Sequence, residues 1–186
     1  MPAPLKPAAF PTPRPHGLEV RHEGFAGALA LRCATEADLG ALQSLYAATR
    51  AEELAAAPWA QATKAAFLGQ QFALQHHHFV THYPDADFLV IAAGPAVVGR
   101  FYRWRASASA EPDVVVDVSL LPAWRGQGLG EALLRAAMAQ AAARSRGLAL
   151  QVLHHNGGAR RLYERLGFSI VGDSGAHLAM RWPRAA

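Results

Sequence analysis

The sequence predicts a mixed α/β domain whose elements follow the order β-α-α-β-β-β-α-β-α-β-β. Three patterns carry this reading: helical periodicity after an N-cap at Thr35, a block of three β-branched and aromatic runs between residues 88 and 121, and a strand that passes through a glycine-rich turn into an alanine- and leucine-rich helix.

Residues 29–33 form a short apolar strand. Thr35-Glu-Ala-Asp38 then supplies an N-cap with acids in the first turn, and Leu39, Leu42, Leu45 and Tyr46 recur at helical spacing, so a helix is expected to about Ala55, ahead of Ala-Pro-Trp at 57–59. A second helix carries Ala66, Phe67, Gln70, Phe72 and Leu74 and stops before Tyr83-Pro84. Residues 88–92, 96–104 and 114–121 are separated by Gly-Pro and Glu-Pro turns and read as a three-stranded meander. A helix over 129–144 turns Leu133, Leu134, Ala137, Met138 and Ala141 inward. A strand at 148–153, a short helix at 158–166 and a hairpin of 168–171 with 177–182 complete the order.

Composition bounds the rest. Residues 1–17 hold six of the twelve prolines with little apolar periodicity, so 1–28 are read as a Pro/Ala-rich extension, largely disordered or laid down as an extended strap, and 29–186 as a single domain. The prolines interrupt every candidate apolar core of a signal peptide, and no 18-residue apolar run suggests a membrane span, so a soluble, cytoplasmic chain with no membrane partner is expected. Cys33, the single cysteine, excludes an internal disulfide and reads as a buried filler. The net charge of +4 comes with sixteen arginines and two lysines, scattered too thinly for a nucleic-acid patch. Gln75-His-His-His-Phe-Val-Thr-His82 places His78 and His82 at i and i+4 but lacks the glutamate of H-E-x-x-H, so it is read as a polar helix end and no metal is expected.

The chemistry concentrates between Asp113 and Gly130. The strand there runs into Arg125-Gly-Gln-Gly-Leu-Gly130 and then into a helix, so the uncapped N–H groups of the first turn face whatever the glycines admit, and an anion is the natural occupant. A P-loop is excluded because the chain has no lysine beyond Lys6 and Lys64, and a dinucleotide fingerprint because no acid lies between Glu131 and Glu164 to bind a ribose.

Arg125, Gly128 and Gly130 match the R/Q-x-x-G-x-G/A signature of the GNAT family of acyl-CoA-dependent N-acyltransferases. Asn156-Gly-Gly-Ala-Arg-Arg-Leu-Tyr-Glu-Arg-Leu-Gly-Phe168 resembles the family's second segment at the family's spacing, and Leu31–Leu39 resembles its first strand and helix start. The resemblance covers roughly residues 29–183. It implies the GNAT fold, a central mixed twisted sheet of about six to seven strands with helices on both faces. It also implies direct transfer of an acetyl or acyl group from acetyl-CoA, as co-substrate, to the amine of a small molecule, amino acid or peptide, by a monomer or homodimer. The pyrophosphate would rest on Gly126, Gln127, Gly128, Leu129 and Gly130 with Arg125 beside it, and Asn156 and Arg160 would assist from the second segment. The pantetheine arm would pair with Val118 and Leu120, whose N–H would polarise the thioester. Tyr163 matches the family's proton donor, although its stripe with Ala159, Leu162 and Leu166 is also that of a core tyrosine. The base is open: Asp117 interrupts a run of valines, water or His154 and His155 compete with it, and the family's usual acid falls where this chain has Val114. Trp59, His76, His82 and Tyr83 are candidates to line the acceptor site. A non-catalytic GNAT-like acyl-CoA sensor or partner-binding module is the alternative reading.

Overall fold

A computed structural model describes residues 7–107 and 111–183. Seven strands, β1 (Leu29–Cys33), β2 (Asp87–Ala93), β3 (Ala96–Trp104), β4 (Asp113–Leu120), β5 (Leu148–Leu153), β6 (Ser169–Asp173) and β7 (His177–Trp182), form one sheet in the order β1-β2-β3-β4-β5-β7-β6. The pairings are antiparallel except for β4 with β5. A parallel pair needs a crossover, and α4 (Leu129–Ala143) supplies it. The helices are α1 (Glu23–Ala26), α2 (Leu39–Arg50), α3 (Gln61–His82), α4 and α5 (Gly157–Arg165).

Each face of the sheet buries its own core. On one, Leu129, Leu133, Leu134 and Ala137 of α4 and Tyr163 of α5 pack with Leu89, Ile91, Phe101 and Leu150. On the other, Leu42, Leu45 and Tyr46 of α2 and Phe72 of α3 pack on Phe88, Val90 and Tyr102. The stripes of α2, α4 and α5 are those that the periodicities identify, whereas on α3 Phe72 is buried but Ala66, Phe67, Gln70 and Leu74 are exposed. The first helix ends at Arg50 instead of Ala55: residues 51–56 continue as turns, with i→i+3 bonds from Ala55 to Glu52 and Ala57 to Leu54 that tighten the chain ahead of Pro58.

Residues 7–28, ahead of β1, are a packed strap ending in the single-turn α1. Leu18 is 7% exposed in the α4 core, Val20 and Phe25 pack beside it, and Phe10 meets the rings of His76 and Phe88 edge-on. Prolines lack an N–H but leave carbonyls free, and these are answered from the domain. Arg103 and Arg105, both paired with the buried Asp87, donate to the carbonyls of His16 and Pro15, and Gln140 of α4 donates to Gly17. Cys33, expected to be buried, is half-buried with its thiol toward Arg14.

His76 joins strap to domain. It is 1% exposed, its Nε2 donates to the Ala8 carbonyl at 2.7 Å, and its Nδ1 has no partner among the described residues. Burial holds its pKa below the usual 6.5, with Arg100 and His77 adding to the effect against the Ala8 carbonyl. The folded state therefore prefers the neutral ring, so its contribution is complete above pH ~6.5 and is lost as pH falls through that value, where the unfolded chain protonates first. His16 and His78 are shifted in the same direction. We expect the urea midpoint to fall between pH 7.5 and pH 5.5, and His76→Leu to fall less steeply over that range; equal slopes would show that the ring protonates without cost.

Candidate active site

The fourth strand is where the sheet opens. β4 pairs with β5 only through Asp113, Val114 and Val115, opposite Leu148, Ala149 and Leu150, although both strands run on to Leu120 and Leu153. The divergence begins at a bulge. Tyr102 lies opposite Asp117 and Arg103 opposite Val115, so Val116 is an extra residue that bends β4 away from its neighbour. Residues 116–120 are half-buried throughout, with no alternation, whereas β3 beside them is buried along nearly its whole length. Leu121 N–H donates to Val98 of β3, so by the alternation of a strand the N–H groups of Val118 and Leu120 point the other way, into the gap toward β5.

The glycine turn closes the same end. Gly126 and Gly128 take φ +71° and +81°, the left-handed region that side chains disfavour, and a Cβ at Gly126 would meet nothing within 4 Å. The N–H groups of Gly126, Gln127 and Gly128 have no protein acceptor among the described residues. The first intrahelical bond of α4 runs from Ala132 to Gly128, which leaves the N–H groups of Leu129, Gly130 and Glu131 without helical acceptors. No side chain caps this end of α4. Arg125 Nε donates to the Leu120 carbonyl at 2.9 Å, which holds its guanidinium between the glycine turn and the gap. A row of free donors, a helix dipole and a guanidinium together make an arrangement that can hold a phosphate-bearing group. The acid in the first turn, Glu131, is paired with Arg135 and Arg165.

Tyr163 on α5 is 6% exposed, and burial, with the Asp117 carboxylate adding, pushes its phenol up to about 12. It therefore keeps its proton at neutral pH, and its hydroxyl donates to no group among the described residues. Asp117 projects from β4 toward the α2–α3 face. There its Oδ2 accepts from Arg100 Nε at 2.7 Å and from Ser119 Oγ at 2.9 Å, while Oδ1 has no donor among the described residues. Arg100 is fully enclosed, bonded to Gln75 Oε1 at 2.7 Å and lying over the Phe79 and Tyr102 rings. Protonating Asp117 would leave this buried cation without its counter-charge, which weighs against the carboxylate as the final holder of a proton.

The other expected residues divide. Asn156 caps α5, its Oδ1 accepting from Ala159 N–H at 3.1 Å, and Arg160 pairs with Glu164 on the exposed side of that helix. His154, just beyond β5, bonds Asp173 at 2.9 Å, and that ring together with the Gly175 N–H holds the aspartate below the usual carboxylate range. His155 lies 3.6 Å from Glu53, linking the α2–α3 segment to the β5–α5 loop. His76, His82 and Tyr83 do not reach the gap. His76 faces the strap, His82 stacks on His78, and Tyr83 packs on Trp104, which pairs with Val114, about 20 Å along β4 from Leu120. Trp59 is exposed against Phe67 before the start of α3. No group of three His, Cys, Asp or Glu side chains among the described residues is arranged to hold a metal ion, and no described helix is long and apolar enough to cross a membrane. Two residues that the sequence does not single out belong to the site's surroundings: Arg100, and His22, which touches the glycine turn. For Arg100 a signal existed, since Asp117 and Arg100 interrupt adjacent apolar strands with opposite charges.

Residues 84–170 match the family model described as an acetyltransferase (GNAT) domain. The chain is 34% identical over 90 residues to the mycothiol acetyltransferase of Corynebacterium glutamicum (strain R), a match that covers 48% of this chain and 30% of that protein, so the chain corresponds to under a third of that relative's length. Among solved structures it resembles the PaiA N-acetyltransferase of Thermoplasma acidophilum in complex with coenzyme A, with a TM-score of 0.63 and 16% identity over 83% of this chain and 98% of the other. It also resembles RimL, a ribosomal L7/L12 α-N-protein acetyltransferase in complex with coenzyme A, with a TM-score of 0.61 and 17% identity over 90% and 97%. At these identities the structures speak for the fold, a seven-stranded mixed sheet shared with GNAT acetyltransferases.

Asp117→Asn removes the charge facing a guanidinium that has no access to water, and we expect it to destabilise the fold by about 3 kcal/mol in urea unfolding. A loss under about 1 kcal/mol would place the pair among exposed salt bridges, at odds with the enclosure of Arg100.

Proposed function

We propose, from the premise that the chain carries a GNAT acetyltransferase domain over residues 84–170, that it is an enzyme moving an acetyl group from acetyl-CoA to an amine by direct transfer in a ternary complex. The observation that carries this reading is the gap between β4 and β5, lined by free backbone donors and flanked by the glycine turn. The pyrophosphate of the co-substrate rests on the N–H groups of Gly126–Gly130 with Arg125 beside it, and the pantetheine arm pairs along Val118 and Leu120 as a missing strand would. The Leu120 N–H then meets the thioester carbonyl, where a fixed donor stabilises the oxyanion that forms. Asn156 and Arg160 flank the arm from the start of α5.

The amine lone pair attacks the thioester carbon, the carbon–sulfur bond breaks, and the products are the acetylated amine and free CoA. An alkylammonium with a pKa of ~10.4 is neutral only in about one molecule per thousand near pH 7.4, so a proton must leave the nitrogen before attack. Asp117 suits the task of holding the amine through its free Oδ1, with the proton passing to water, because its other oxygen is committed to Arg100. Tyr163 gives its proton to the departing sulfur, and the proton that the nitrogen sheds on becoming an amide passes to water, from which the phenol is restored. Its raised pKa keeps that proton in place until thiolate forms.

The test has two stages. Saturating CoA should raise the melting temperature, since a ligand that binds only the folded state stabilises it. With acetyl-CoA and a panel of small amines, amino acids and peptide amines, thiol release should identify an acceptor, whereas CoA binding without release from any amine would favour the sensor or partner-binding module. Tyr163→Phe keeps the ring and its packing, and we expect kcat to drop about 10²- to 10⁴-fold with little change in acetyl-CoA affinity. A nearly fully active Phe variant would make Tyr163 a core residue only.

A further inference from the structure

We propose that His22, from the N-terminal strap, is a positioning residue that holds the glycine turn in the shape that receives the co-substrate's pyrophosphate. This rests on the reading of that turn as the CoA site. Gln127 lies between Gly126 and Gly128, the two left-handed glycines, so its peptide groups sit in the most pliable backbone of the site. Both ends of Gln127 are nevertheless fixed. Its side-chain amide donates to Ala123 O at 2.6 Å, and its carbonyl meets His22 Nε2 at 2.8 Å. The ring's other nitrogen, Nδ1, accepts from Gly24 N–H at 3.0 Å as the cap of α1. A backbone N–H can only donate, so the ring proton lies on Nε2 and is given to Gln127. Both nitrogens are satisfied in one neutral tautomer, and one side chain ties the strap to the turn.

The strap delivers this ring by spanning α4 end to end. Gly17 is bonded to Gln140 in the last half of α4, and His22 reaches Gln127 just before its first residue. The helix covers this distance in about 18 Å at ~1.5 Å per residue, and the five strap residues from 17 to 22 cover about 17 Å at ~3.3 Å each when fully extended. Five strap residues together with the reach of the Gln140 and His22 side chains thus suffice to run the length of α4, and Leu18, buried in the α4 core, anchors the far end. Binding a phosphate to a preformed turn avoids the entropic cost of ordering glycine-flanked backbone when the ligand arrives. The bond gives the Gln127 carbonyl a donor of its own.

The test separates the two bonds of the ring by calorimetric titration of CoA into the full chain. His22→Asn retains a capping oxygen for Gly24 but is too short for Gln127, so we expect a melting temperature near that of the wild type and a Kd for CoA about 5- to 10-fold weaker, the size of one lost hydrogen bond. His22→Gln can reach Gln127 and should recover most of the affinity. His22→Ala should lose both stability and affinity. If the Asn variant also melts early, the Gln variant decides, since recovered affinity supports the clamp and unrecovered affinity overturns it. Equal CoA affinity in wild type, Asn and Ala variants overturns the role of His22 while leaving the cofactor reading intact; a wild type that binds no CoA removes the cofactor reading and this inference with it.

Discussion

The interruption of the parallel pairing between β4 and β5 is the constraint on which the rest of the molecule turns. A central strand in a sheet covered on both faces normally gives each N–H and C=O to a neighbour, because an unpaired backbone group sealed from water costs as much as a lost hydrogen bond. Here a single extra residue, Val116, ends the pairing after Val115 and leaves the groups of Val118 and Leu120 facing a gap. The half-burial of residues 116–120 in the middle of a seven-stranded sheet is the outcome, an opening that water or an extended ligand must fill. The glycine turn at the end of β4 and the free N–H groups of α4 then sit at the mouth of that opening because β4 leads directly into them.

Charge is arranged around the gap by sheet face. On the α2–α3 face the Arg100–Asp117 pair puts one anion beside the cleft and encloses its counter-ion under Phe79 and Tyr102. On the α4–α5 face Tyr163 keeps an undissociated phenol. The Asp117 carboxylate and the Tyr163 phenol thus stand on either side of the same strand, where the proposed transfer would use the one to hold an amine and the other to give a proton. The strap adds a third element, since its carbonyls satisfy Arg103, Arg105 and Gln140 and its His22 meets the glycine turn.

Much of this was legible in the sequence where the signal is local. The strand order follows from runs of valine and aromatic residues and their turns, and the glycine turn followed by Leu129, Leu133, Leu134 and Ala137 reads as a loop and a buried helix without knowledge of anything distant. What is not legible depends on partners far along the chain. Prolines 7, 11, 13 and 15 leave a disordered arm and an extended strap both open, and partners that pack the strap, among them His76, Arg103 and Arg105, lie roughly seventy residues or more away. The bulge at Val116 is invisible in Val114-Val-Val because three valines fit a regular strand equally well. His76 and Tyr83 are acceptor-site candidates only through what the family resemblance implies for this helix; the ring of His76 is taken up by the strap at Ala8, and Tyr83 packs on Trp104 at the opposite end of β4 from Leu120.

If a co-substrate completes the sheet where β5 leaves β4, amide hydrogen exchange read residue by residue, with and without CoA, will register it with no side chain altered. We expect the amides of Val118 and Leu120, together with those from Gly126 to Gly130, to exchange readily in the free protein and to slow by at least tenfold with saturating CoA, while the amides of β6 and β7 stay unchanged. Protection confined to the glycine turn, with Val118 and Leu120 exchanging as before, would contradict it by showing a phosphate site with no pairing along the gap.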